Sequence, residues 1–252
     1  MFRQMFWYCL SLCCLCWSGI SPTPAPNPLA QKLVQAYPDF LLRVEGNELI
    51  WKDGTRMLID DGRSKSFEQR LANADLKDQL SQTYPKGYPY PTPALNQDPG
   101  RIRCEAFFRK MYGASEQAVR QHLVAVRWLP SSINKTLYVT QLNGVAEKLQ
   151  AVANILDKRP HLHPYLNNPA GTFNWRFVSG TQNLSTHSFG IAIDINVNYS
   201  DYWQWAPKGQ ALVYKNRIPW EIVEVFEQHG FIWGGKWYHY DTMHFEYRPE
   251  LL

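Results

Sequence analysis

Two short stretches of this 252-residue sequence carry side chains that could do chemistry together. The first runs Ser185-Thr186-His187-Ser188-Phe189-Gly190-Ile191-Ala192-Ile193-Asp194-Ile195-Asn196, and the second Asp241-Thr242-Met243-His244-Phe245-Glu246. His187 sits in a polar, turn-prone run. Beyond it the residues alternate, so that Ile191, Ile193 and Ile195 share one face of an expected strand while Ala192, Asp194 and Asn196 share the other. An acidic side chain in an otherwise apolar strand needs a partner or a cation. Gly190 and Ala192 are small, which leaves room for a metal and a substrate to approach the backbone on the Asp194 face. In the second stretch His244 and Glu246 alternate with Phe245 and Tyr247, so a second strand would present His244 on one face and pack its aromatics on the other. If the two strands are neighbours, His187, Asp194 and His244 converge. Two imidazoles and one carboxylate leave zinc a fourth position for water, as catalytic sites do and closed structural sites do not.

The run Phe173-Asn174-Trp175-Arg176, then Ser185-x-His187-x-x-Gly190-x-Ala192-x-Asp194, then Asp241-x-x-His244, resembles the bacterial zinc D-alanyl-D-alanine carboxypeptidases and the related L-alanyl-D-glutamate endopeptidases. Those enzymes cut peptidoglycan stem peptides. The likeness covers the C-terminal half, is less clear from about Leu76 onward and hardly extends before it. It implies zinc as cofactor on His187, Asp194 and His244. Asp241 is then the general base, accepting a proton from activated water and passing it to the leaving amine. Arg176 would stabilise the oxyanion or bind a substrate carboxylate, tasks suited to a fixed, permanently charged fork. Glu246 shares the His244 face and is read as orienting a ligand. Ser185 contacts substrate or holds the His187 loop, and His239 is a further substrate or ligand-orienting contact. The carboxypeptidase branch usually carries Glu where Asp241 stands, and the endopeptidase branch often carries Asp. The expected activity is D-alanyl-D-alanine carboxypeptidase; the alternatives are L-alanyl-D-glutamate endopeptidase and a non-catalytic cell-wall binding module that retains the zinc fold.

These residues need a scaffold. At 45% hydrophobic and 14% aromatic, the chain can bury one substantial core. Its 26 basic and 22 acidic residues are nearly balanced and show no concentrated basic run. Nucleic acid is therefore excluded as a partner, and the net charge of +4 suits approach to an anionic wall. Residues 1–21 read as a signal peptide or anchor, 22–28 as a proline-rich tether, 29–75 as a small β-rich extension and 76–252 as the zinc peptidase domain. Export to the periplasm or cell envelope follows from that reading, with membrane association through the N-terminal segment as its variant. Four of the five cysteines lie in that segment, which leaves Cys104 without an internal disulfide partner.

Strands are expected at 40–44, 48–51 and 57–60, joined by Gly46-Asn47 and Asp53-Gly54 turns. Helices are expected at 29–36, 66–80, 103–111, 115–122 with Ser115 as N-cap, and 143–157, with a last one from Pro219 to Gly230. The aromatic, proline-rich segment 84–91 either lines a groove or is a surface crossover pinned by tyrosines. The fold class is α+β: a small, mainly antiparallel sheet carrying the zinc site, flanked by helices, with an N-terminal β-rich extension.

Overall fold

The computed structural model describes residues 28–207 and 209–252. The expected signal segment and residues 22–27 of the tether lie outside them, and with them the residues on which export and membrane association were read. No helix among the described residues is long and apolar enough to cross a membrane.

Helix α1 (Pro28–Ala36) starts on Pro28, where a missing N–H leaves no intrahelical bond unmade. It is followed by an antiparallel meander of β1 (Leu41–Glu45), β2 (Glu48–Trp51) and β3 (Arg56–Leu58). The meander packs inward. Leu49 and Trp51 are buried, and the rings of Trp51 and Tyr37 meet Phe107 at 5.5 and 5.6 Å. The helix expected over 66–80 is two short ones, α2 (Phe67–Ala72) and α3 (Leu76–Gln79). Asp75 breaks it. Its carboxylate accepts the Asp78 N–H at 2.7 Å, an N-cap bond that competes with continuing the helix through position 75.

Helices α4 (Glu105–Tyr112) and α5 (Glu116–Arg120) follow, the second capped by Ser115 as expected. Next comes a hairpin absent from the sequence reading, β4 (Leu123–Trp128) paired with β5 (Lys135–Thr140). Its connection carries none of the usual glycine signals. Leu129 and Asn134 take positive φ instead, and the Ile133 and Asn134 N–H groups both donate to the Leu129 carbonyl. Helix α6 (Val145–Asp157) buries Leu149, Val152, Ala153 and Leu156 on one face.

A single turn, α7 (His163–Leu166), leads to the sheet that matters for chemistry. Strands β6 (Pro169–Gly171) and β7 (Ala192–Asn196) come first, then helix α8 (Trp220–Gln228), then β8 (Phe231–Trp233) and β9 (His244–Tyr247). The spatial order is β6-β7-β9-β8, and every pairing is antiparallel. Ile193 and Ile195 are fully buried, and Phe245 stacks on Phe226 of α8 at 3.9 Å, so the apolar face of the sheet lies against the helices. The architecture is the α+β arrangement expected.

Segment 84–91 is a pinned crossover. The Tyr84 hydroxyl donates to Glu227 at 2.6 Å. Lys236 Nζ reaches Glu227 and the Pro85 and Gly87 carbonyls, with the rings of Tyr84, Tyr90 and Trp220 each 4.9 Å away.

Gly190 has a different use from the one its spacing suggested. It ends the turn that carries His187 at φ +66°, and an added Cβ would lie 2.8 Å from Leu123 and 3.0 Å from the Thr140 nitrogen. The missing side chain lets the β4–β5 hairpin close on the turn; it does not open the backbone to substrate. Gly190→Ala is expected to destabilise the fold by about 1–3 kcal/mol, measurable by denaturant unfolding, because it combines left-handed strain with a backbone clash.

Candidate metal centre

Strands β7 and β9 are neighbours, and their register sets Asp194 opposite His244 and Ala192 opposite Glu246. His187 comes from the single 3-10 turn Thr186–Phe189 just before β7. Ser185 caps that turn by accepting the His187 N–H at 3.3 Å, and the Ser188 hydroxyl ties it to the Arg176 backbone. The three side chains converge. His187 Nε2 lies 3.3 Å from His244 Nδ1, and Asp194 Oδ1 lies 3.1 and 2.9 Å from them in turn.

The other nitrogen of each ring decides what those contacts are. His187 Nδ1 is 2.5 Å from the Thr172 carbonyl, which can only accept, so Nδ1 carries the proton and Nε2 a lone pair. His244 Nε2 is 3.1 Å from Glu246 Oε2. Burial would push the Glu246 carboxyl up, but His244, Arg103 and Arg248 hold it well below the usual carboxylate range. His244 therefore donates from Nε2. Burial alone would push its pKa down, but Asp194 and Glu246 push it up to about 10, so in the metal-free site Nδ1 also donates, to Asp194. Nδ1 becomes a ligand atom when a metal displaces that proton. The His187 lone pair, His244 Nδ1 and the Asp194 oxygen thus face one another at 2.9–3.3 Å, held together by the Nδ1 proton in the metal-free site and open to a cation that replaces it. Tetrahedral zinc with ligands at about 2.0–2.2 Å sets ligand atoms roughly 3.3 Å apart, close to these separations. The donor set fits zinc, and the second bond of each ring is the orientation that metal-ligating histidines use. Glu246→Gln is expected to weaken zinc binding roughly 10- to 100-fold, readable by competition with a chromogenic chelator.

Asp241 stands on the connection from β8 to β9. Its N–H donates to the Gly234 carbonyl at 3.0 Å, its carbonyl accepts the His244 N–H at 3.2 Å, and it bridges to Tyr202. Position 234 must be glycine, since a Cβ there would come within 2.6 Å of the Asp241 carbonyl. Asp241 Oδ1 is buried without a hydrogen-bond partner, in the cleft that His187, Asp194 and His244 line. An orphaned carboxylate oxygen beside a ligand triad fits a base awaiting a proton. Burial, then the negative charge of Asp194, pushes its carboxyl up to about 7 in the metal-free site. Zinc on Asp194 cancels the second effect and opposes the first. The acid limb of kcat/KM is thus expected below pH 7, activity falling as Asp241 takes up its proton. A limb at or above pH 7 in the zinc-loaded enzyme would assign the base elsewhere.

Arg176 also lines the cleft, and its guanidinium has no ion-pair partner among the described residues. Glu246 is completely buried and does not line the cleft, in keeping with an orienting role. His239 does line it, as do Tyr202, Trp203 and Trp237. Sequence reasoning missed three further residues. Arg101 and Arg103 are on the cleft wall, and Asp98 is wholly buried behind it, 2.6 Å from His239 Nδ1 and 2.8 Å from Arg101 Nη1. Only the alternating Arg101-x-Arg103 spacing, which puts two cations on one side of an extended segment, offered a local sign of them. His161 and His163 are elsewhere: the first meets Glu221 in an exposed pair, and the second meets the Asp157 carbonyl.

Residues 179–247 match the family described as D-alanyl-D-alanine carboxypeptidase. No match is found among curated proteins. The matched segment holds all three converging residues, Asp241, His239 and Glu246, and Arg176 lies three residues before it. Over that segment the chain is similar to the D-alanyl-D-alanine carboxypeptidase family of peptidases.

Proposed function

We propose that this peptidase is a zinc-dependent D-alanyl-D-alanine carboxypeptidase of peptidoglycan stem peptides, acting outside the cytoplasm in the periplasm or cell envelope. The observation that carries the reading is one cleft holding three converging ligand atoms, a buried carboxylate oxygen without a partner and the guanidinium of Arg176, which has no ion-pair partner among the described residues. His187 Nε2, His244 Nδ1 and Asp194 Oδ1 would hold the metal. Zinc would supply Lewis acidity and water activated at neutral pH.

The chain's own groups do the rest. Asp241 Oδ1 takes the proton of the attacking water and returns it to the amine as the amide bond breaks, so no covalent enzyme intermediate is needed. Arg176 meets the negative charge that develops on the substrate. Three arginines on the cleft wall, Arg101, Arg103 and Arg176, suit a substrate that ends in a free carboxylate. Asp241 in place of Glu favours the L-alanyl-D-glutamate endopeptidase as the second reading.

Mass spectrometry of purified muropeptides tests both, with and without chelator and zinc add-back. Metal-dependent loss of one terminal D-alanine is the expected result. Release of a peptide beginning at D-glutamate would establish the endopeptidase instead. No product in any metal condition would leave a wall-binding module.

A further inference from the structure

We infer that Arg101 and His239, braced together by Asp98, form the subsite that reads the free C-terminal carboxylate of the substrate. The inference rests on the carboxypeptidase reading above, and it concerns residues that, apart from His239, lie outside the segment matched by the family.

Asp98 is completely buried and accepts three bonds: from Arg101 Nη1 at 2.8 Å, from His239 Nδ1 at 2.6 Å and from the His239 backbone N–H at 2.9 Å. Its own N–H is fixed by Gln82 Oε1 at 2.6 Å. A buried carboxylate must be paired, and this one is paired to two side chains that both line the cleft beside Asp241. What Asp98 leaves free in them is unused. Arg101 Nε and Nη2 and His239 Nε2 have no hydrogen-bond partner among the described residues.

Both groups are also locked in place by rings. The His239 ring lies 4.7 Å from Trp203 and stacks on Phe67 at 6.1 Å, and the Arg101 guanidinium sits 5.9 Å from the Trp203 ring. A fixed guanidinium with spare N–H groups and an imidazole edge beside it form a preorganised seat for a planar anion. In a D-alanyl-D-alanine terminus only one carbon separates the carboxylate from the nitrogen of the bond to be cut. The seat must therefore lie close to the base, and His239 is two residues from Asp241 in the chain. An ordinary α-linked internal peptide bond offers a neutral amide at that point and would leave the charge of the donors unmatched, whereas a γ-linked D-glutamate keeps a free α-carboxylate there. Arg176 is then left for the charge that develops at the reacting carbonyl.

The test compares an acyl-D-alanyl-D-alanine with its C-terminal amide on the zinc-loaded, full-length protein. The wild type is expected to prefer the acid by roughly 10- to 100-fold in kcat/KM. In Arg101→Gln and His239→Gln that preference should shrink several-fold or more, chiefly through KM for the acid, at equal zinc content. Arg101→Lys should recover part of it. Arg176→Gln should slow acid and amide alike. Asp98→Asn should mimic the other two variants, and they carry the test if it fails to fold.

Variants that slow acid and amide equally, with the preference intact, would overturn the inference and leave the carboxypeptidase reading standing. Turnover of neither compound, with cleavage between L-alanine and D-glutamate instead, would overturn both.

Discussion

Replacing Asp241 with Asn is expected to lower hydrolysis of stem peptides by about 10³-fold while the protein keeps its zinc. The substitution keeps the shape of the side chain and removes the charge that accepts a proton. Metal content should hold because Asp241 is not among the three converging ligand atoms, and because its backbone, not its carboxylate, makes the bonds to Gly234 and His244 that shape the strand connection. Glu246 cannot take over as base. It is completely buried, with Oε2 on His244 and Oε1 on Arg248, so it has neither access to the cleft nor a free lone pair aimed there. Removing the buried, unpartnered Oδ1 charge also relieves a desolvation penalty. Asp241→Asn should thus unfold at a denaturant concentration equal to or above that of the wild type. Loss of function with gained stability separates a catalytic group from a structural one. Turnover at the wild-type rate would remove Asp241 from the mechanism.

The convergence of His187, Asp194 and His244 was legible because its signals are local. Alternation from Ile191 to Asn196 sets the face of Asp194, alternation from His244 to Tyr247 sets the face of His244, and one register, Asp194 opposite His244, brings the two together. The supports of the site were not legible, because they come from distant segments. Asp98 braces His239 from 141 positions away, and nothing in Gln97-Asp98-Pro99-Gly100 distinguishes that carboxylate from an ordinary turn residue. The β4–β5 hairpin was hidden for a related reason. Its turn uses Leu129 and Asn134 at positive φ, and only the packed structure holds a leucine there. Gly190 was found but misread: its spacing flags a small residue without saying which neighbour, metal or hairpin, needs the room.

Arg248→Met should destabilise the zinc-loaded protein by about 3–5 kcal/mol, the largest effect on stability expected at a single position here. Arg248 is completely buried and lies between two buried carboxylates, donating from Nη1 to Glu246 at 2.9 Å and from Nε to Glu250 at 2.6 Å. Nη1 also reaches the Gly100 carbonyl at 2.9 Å, and the guanidinium lies 5.0 Å from the Phe108 ring. Methionine fills most of the volume but leaves Glu250 without its cation and Glu246 with only Arg103 at 3.7 Å and His244 at 3.1 Å. Each is tied to something else. Glu250 accepts the Tyr37 hydroxyl at 2.6 Å and the Gln79 amide at 3.3 Å, so the strain runs into the N-terminal segment; Glu246 holds His244, so it also runs into the metal centre. The charge argument and a simple packing argument predict different double variants. If stranded charge dominates, Arg248→Met with Glu250→Gln should recover part of the loss in denaturant unfolding, because the anion left without a cation is gone. If lost packing dominates, the second substitution should add to the first. Zinc affinity supplies an independent readout: it should fall with Arg248→Met, since Glu246 then loses a cation that keeps it ionised opposite His244, and should stay reduced in the double variant, which leaves that defect in place.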